Sequence, residues 1–276
     1  MPTFLVAMLA AAGAAAADLD PDAIPQVNGE ARDALAGDYA KARDHKAFVI
    51  GPSGAWQWTA KKSSDEDAVK QALDKCNRRV APHKCQPYAI GNEVVLDSAA
   101  WAAVLAPYPS AADAAKAKIG IERGQRMHDL VFTTAEGEKR KLSDYRGKIV
   151  VLHIWGSWCP PCQREMPSLS RLYASLKDNP AVAFVPIGVK ETYSKSKRWA
   201  DGYGFDLPYV DGDAADSTLS TAEGRSIDFR DIANKVPTTY FLDRNGLVVF
   251  QRTNAFYRWE DFMPQIDHLI ANGATN

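Results

Sequence analysis

Charge of one sign is what this sequence most plainly lacks. Its 33 lysines and arginines are matched by 34 aspartates and glutamates, for a formal net charge of −1, and no long block of like charge interrupts the balance. A chain so neutral gives no electrostatic reason to bind nucleic acid or an anionic membrane surface. Internal repeats are absent, and low complexity is confined to the alanine-rich start. Beyond that start, no segment is apolar enough to span a bilayer. Cysteine is sparse: four residues, in two close pairs, Cys76 with Cys85 and Cys159 with Cys162.

What is present begins with an apolar stretch from Phe4 to Ala17, in which Ala15, Ala16 and Ala17 precede the acidic Asp18 and Asp20. Short for a membrane span, it reads as a secretory signal cleaved after Ala17, although its first residues carry no Lys or Arg. The alternatives are a mis-assigned start codon or an uncleaved anchor, the latter being the one circumstance in which the membrane itself becomes a partner. Paired cysteines in an exported chain point to an oxidising compartment. The expected location is therefore the periplasm or another exported site.

With 46% hydrophobic residues the chain can bury a sizeable core in one or two domains. Residues 28–46 carry Ala31, Leu35, Tyr39 and Ala42 at helical spacing. Strand patterns follow at 47–50 and 55–59, separated by a Gly-Pro-Ser-Gly turn. Ser63 with Glu66 reads as a capping box opening a helix whose buried stripe is Val69, Ala72, Leu73 and Cys76. Cys85 then starts a strand-like run to Leu96. This predicts a small N-terminal α/β domain over 18–105, a linker or exposed helix over 106–125, and a second domain over 126–276.

That second domain alternates helix and strand. Residues 149–155 form an almost unbroken apolar run, as in a strand covered on both faces. A helix from about Pro160 carries Met166, Leu169, Leu172, Tyr173 and Leu176 on one side, and residues 183–189 complete a βαβ unit. A further helix spans about 194–203. Strands at 238–242 and 247–250 flank Asn245-Gly246, whose positive φ suits a tight hairpin turn. A last helix covers about 259–271.

Trp158-Cys159-Pro160-Pro161-Cys162 stands where the buried strand turns into a helix. Two thiols three residues apart in a first helical turn can close a small disulfide ring. Unpaired N–H groups and the helix dipole at Cys159 stabilise a thiolate, making it the expected exposed nucleophile. Cys162, one turn deeper, is the expected resolving thiol, and Trp158 shields the pair. Pro160 and Pro161 suit early helix positions but remove two donors from the Cys159 sulfur. A moderately lowered Cys159 pKa and a less oxidising disulfide are expected. The rival assignments for this pair are a structural disulfide or metal ligands.

Three features together resemble the thioredoxin superfamily, and within it the exported TlpA-like, cytochrome-c-biogenesis type, over residues 126–271. They are the Phe132–Gly147 hairpin with Leu142-Ser143-Asp144-Tyr145-Arg146-Gly147-Lys148 before the strand, the Trp155-to-Cys162 motif with Glu165 and Pro167, and Val236-Pro237-Thr238-Thr239 through Gly246. The resemblance implies a central mixed sheet flanked by helices, a redox-active Cys159–Cys162 disulfide and no other cofactor. It also implies a cis Val236–Pro237 bond facing that disulfide, with Val236, Trp158 and Pro160 meeting the substrate chain. His153, six residues before Cys159, departs from the family, which carries an acid or an amide there. A histidine could move the proton of the buried thiol with a pKa nearer neutral, or be a core residue bonded to backbone. Glu165 could influence the thiols instead, or be a solvated carboxylate favoured by the helix dipole.

Cys76 and Cys85 are expected to form a structural disulfide. A zinc site with His83 lacks a fourth ligand and a familiar spacing, and a second redox pair feeding Cys159 is the remaining alternative. Trp56, Trp58 and Trp101 could line a groove or pack in the core. His45, His128 and His268 stand in no motif. The expected activity is reduction of disulfides in exported proteins or apocytochromes, the protein being recharged by a membrane electron donor. A partner-binding adaptor, a disulfide oxidase or isomerase, and a thiol peroxidase are the alternatives. The paired motif disfavours the peroxidase, and Gln163 after Cys162 argues against covalent haem attachment.

Overall fold

The computed structural model describes residues 19–52, 54–80 and 84–273. The signal-like segment 1–17 and His83 lie outside the described residues. In chain order the elements are α1 Gly29–Ala34, β1 Ala47–Ile50, β2 Trp56–Thr59, α2 Asp65–Val80, β3 Gln86–Ile90, β4 Glu93–Val94, α3 Ser98–Ala102, α4 Ala111–Lys116, β5 Val131–Thr133, β6 Lys139–Lys141, β7 Ile149–Trp155, α5 Pro160–Leu176, β8 Val182–Gly188, α6 Tyr193–Gly202, β9 Thr218–Ser220, β10 Ser226–Asp228, β11 Thr238–Leu242, β12 Val248–Thr253 and α7 Met263–Asn272. Among the described residues no helix is long and apolar enough to cross a membrane.

The C-terminal half holds the expected mixed sheet, in the order β12-β11-β7-β8. Strand β7 runs parallel to β8 and antiparallel to β11. All seven residues of β7 are buried, because side chains alternate between two covered faces. Ile149 and Val151 join the core around α5 and α7, while Val150, Leu152 and Ile154 join the core under the β5–β6 hairpin.

The first 105 residues supply a second sheet, β2-β1-β3-β4, with α2 on one face. Its central strand β1 shows the same division of labour. Ala47 and Val49 pack on α2, whereas Phe48 and Ile50 enter the main core with Trp259, Phe262 and Leu269 of the C-terminal half. The two sheets therefore share one apolar interior. The contact is fastened by polar groups: the Gln26 amide donates to Gln265 Oε1 at 2.6 Å, and the Gln265 amide to the Trp101 carbonyl at 2.7 Å. Residues between α3 and β5 lie along the body, with Tyr108 bonded to His268 at 2.8 Å and Arg123 to the Leu105 and Pro107 carbonyls.

Three local expectations change. The cap of α2 is Ser64, whose Oγ accepts from the Asp67 N–H at 3.2 Å, not Ser63 with Glu66; adjacent serines make a one-residue shift invisible to the pattern. The run from Cys85 to Leu96 is a hairpin, broken at Gly91 with φ +57°. In the β11–β12 turn Gly246 alone takes positive φ, at +71°. There the Asp243 carboxylate accepts the Asn245 and Leu247 N–H groups, both at 2.9 Å, so a side chain replaces the second left-handed residue.

Candidate active site

Strand β7 delivers the chain into a turn, Gly156-Ser157-Trp158, that ends in the N-cap of α5. Cys159 is that cap, with extended backbone at φ −97°, ψ 107°. Pro160 and Pro161 fill the first two helical positions, where a missing N–H leaves no intrahelical bond unmade. The next N–H, that of Cys162, donates to Cys159 Sγ at 3.3 Å. The two sulfurs are bonded, with Cα atoms 5.3 Å apart. The other pair is also bonded, Cys76 on α2 to Cys85 at a Cα separation of 6.1 Å, which leaves neither thiol for zinc.

Access to the disulfide is narrower than the sequence led us to expect. Cys159 is 3% exposed and Cys162 fully buried. Val236, half-buried, places its carbonyl 3.6 Å from Cys159 Sγ, and its bond to the buried Pro237 is cis. Trp158, 40% exposed, folds back over Gly156 so closely that a Cβ there would collide with its indole nitrogen.

The turn is gripped by residues that sequence reasoning missed. Glu191, after β8, is buried and accepts the Ser157 N–H at 2.5 Å and the Ser157 hydroxyl. The Trp158 indole N–H donates to the Val189 carbonyl at 2.8 Å, and Lys190 Nζ lies 5.2 Å from the Trp158 ring centroid. Nothing local marks Glu191; only its position after a buried strand, where a βα loop meets a site, could have drawn attention to it.

Behind the disulfide the structure joins two residues that had been separate candidates. Glu165, one turn beyond Cys162 on the same face of α5, is fully buried, so the solvated-carboxylate reading is corrected. Its Oε2 accepts the Phe256 N–H at 2.7 Å and the Trp259 indole N–H at 3.3 Å. Its Oε1 has no such donor and faces His153 Nε2 at 3.5 Å, itself otherwise unpartnered. The other imidazole nitrogen bonds Thr239 Oγ1 at 2.9 Å, its neighbour in the sheet. Burial pushes the Glu165 carboxyl up to about 8, against the pull of the Phe256 and Trp259 donors and the Arg252 cation. Burial also drives His153 down to about 3, which corrects the near-neutral expectation. The physical reason is shared: neither group can reach water to solvate its charged form.

The remaining candidates lie elsewhere. Trp56 stacks on Phe48 and Trp58 meets Tyr39 edge-on, while Trp101 is 3% exposed beneath α7, so the three do not form one groove. His45 pairs with Asp65 at 2.8 Å on the surface. Among the described residues no group of His, Cys, Asp and Glu is arranged to hold a metal.

Known proteins match the half of the chain that carries this site. Residues 123–251 match the model of the AhpC/TSA family. The thiol-disulfide oxidoreductase ResA of Geobacillus kaustophilus is 34% identical over 131 residues, 48% of this chain and 69% of that protein. The thioredoxin-like protein YneN of Bacillus subtilis is 34% identical over 134 residues, 48% of this chain and 72% of its own length. Among solved structures, StoA from Bacillus subtilis aligns with a TM-score of 0.39 at 19% identity, covering 49% of this chain and 94% of its own.

Proposed function

The chain belongs to the thioredoxin-like AhpC/TSA family and is a thiol–disulfide oxidoreductase, and from that premise we propose that it works outside the cytoplasm as a reductant of protein disulfides. The observation that carries the reading is the bonded Cys159–Cys162 pair at the N-terminus of α5, one sulfur at the surface layer and the other beneath it.

In the reduced protein the Cys159 thiolate, held at the helix N-terminus by the Cys162 N–H, attacks a substrate disulfide. A mixed disulfide forms and one substrate sulfur leaves as thiolate. Cys162 then loses its proton and attacks Cys159 Sγ, releasing the second substrate sulfur and closing the Cys159–Cys162 bond. Two electrons pass to the substrate in all, and its two departing thiolates take their protons from solvent. The buried Glu165–His153 pair stands one turn beyond Cys162 on the same face of the helix. Its shared hydrogen-bond vacancy suits it to hold the proton that Cys162 sheds. Trp158, Pro160 and the Val236 carbonyl form the surface on which a substrate chain would lie. The client class is exported proteins with disulfides, apocytochromes among them. A membrane electron donor returns the site to the dithiol form, and no other cofactor is needed. This role suits a chain whose start reads as a secretory signal.

The test is the reduction potential against glutathione, with insulin reduction measured for the wild type and Cys159→Ser. A potential near the thioredoxin value, about −270 mV, supports the reductant; one near −120 mV makes the protein an oxidant. Full insulin-reducing activity in Cys159→Ser would remove the nucleophile and the reading with it.

A further inference from the structure

The N-terminal sheet touches the redox half of the molecule close to the group that faces Glu165. Three residues stand in a row across the C-terminal sheet: His153 on β7 is directly opposite Thr239 on β11, and Thr239 directly opposite Arg252 on β12. Direct cross-strand partners project to the same face, here the face covered by α5 and Glu165. The Arg252 guanidinium lies 4.3 Å from the Phe256 ring centroid, and Phe256 supplies the backbone N–H bound to Glu165. Its outer side is closed by the β1–β2 turn of the N-terminal sheet. A Cβ at Gly54 would sit 2.9 Å from Arg252 Nη1, 3.1 Å from Nη2 and 3.0 Å from the Gln26 carbonyl. Gln26 is pinned in turn to the segment before α7, its N–H on Asp261 Oδ2 at 2.9 Å, and to α7 itself, its amide on Gln265.

We infer that the N-terminal domain is an electrostatic positioning element of the redox centre: by covering Arg252 it holds a desolvated cation beside Glu165 and so favours the carboxylate that receives the Cys162 proton. Coulomb attraction grows as water is excluded, and the Gly54 contact excludes it on the side that the C-terminal sheet leaves open. Glycine at position 54 is required by this approach, and also by φ +79°. The groups facing Glu165 are His153 from β7, Arg252 from β12, and the uncharged Phe256 and Trp259 N–H donors from the segment before α7. Glu260 of that segment turns instead to Ser168 and Arg171. Arg252 and Glu165 each act on the other's ionisation, in the sense that favours both charges.

The proton-accepting role rests on the oxidoreductase reading; the coupling itself does not, and is measured without turnover. In the oxidised full chain, the infrared C=O stretch of protonated Glu165, identified by its loss in Glu165→Gln, is followed against pH. Arg252→Gln is expected to raise the midpoint by about one unit, and Arg252→Lys, which keeps the charge, to leave it near wild type. Gly54→Ala, which pushes the guanidinium outward, and Gln26→Ala, which loosens the same contact without adding an atom, should both raise it. A wild-type midpoint in Arg252→Gln, or in either N-terminal variant that retains the native near-ultraviolet spectrum, overturns the inference. Loss of the native spectrum in both, with an unchanged Arg252→Gln midpoint, overturns it equally. A wild type without disulfide-reducing activity, by contrast, counts only against the proposed function.

Discussion

At the scale of single residues, the two reactive sulfurs are separated by depth. Cys159 is the cap and Cys162 lies wholly inside, which divides attack from resolution. Cys162→Ser should therefore accumulate a mixed disulfide between Cys159 and a substrate peptide, seen as a dithiothreitol-sensitive adduct on a non-reducing gel. Cys159→Ser should form none, and an equal yield from the two variants would contradict the assigned order. The cysteine pair was legible because its three-residue spacing has one sensible geometry at a strand-to-helix turn. The partnership of His153 with Glu165 was not, since strand and helix meet there only after the chain has turned over the disulfide. Their protonation was equally hidden, because burial, not residue type, sets it.

At the scale of elements, periodicity carried most of the information. Strand β7 and helix α5 announce themselves by an unbroken apolar run and a 3.6-residue stripe, and both stand where those patterns place them. Caps and turns depended on single side chains and were read less well. At α2 the choice between neighbouring serines is decided by which hydroxyl reaches the third helical N–H. Ser64→Ala should accordingly destabilise the protein by about 1 kcal/mol. Ser63→Ala, which removes only an exposed bond to Asp67 at 3.1 Å, should lie within about 0.5 kcal/mol of wild type. Urea denaturation of the two variants distinguishes them, and a larger loss for Ser63→Ala would reassign the cap.

At the scale of the whole molecule, the buried pair gives stability a pH dependence of defined shape. Glu165 is raised from 4.5 to about 8, so its contribution is complete below pH 4.5 and is lost as pH rises towards 8. His153 is lowered from 6.5 to about 3, so its contribution is complete above pH 6.5 and is lost as pH falls towards 3. Between pH 4.5 and 6.5 the two slopes oppose each other. The pair therefore predicts a plateau in Tm over that interval with a decline on either side. Calorimetry on Glu165→Gln should show the alkaline decline between pH 6.5 and 8 removed. Persistence of that decline in the variant would mean that Glu165 ionises freely in the fold.

The sequence alone determined the redox chemistry and the sheet that presents it. Both depend on short-range order: thiol spacing, apolar periodicity, and the glycines and prolines that direct the chain over a few residues. Tertiary structure alone decided how far Cys159 is covered, which atoms hold the Ser157 turn, and that the N-terminal sheet reaches Arg252. These arise from contacts between segments as distant as Gly54 and Arg252, or Gln26 and Gln265. Solvent exclusion there depends on how complete surfaces fit, and no local pattern encodes that fit.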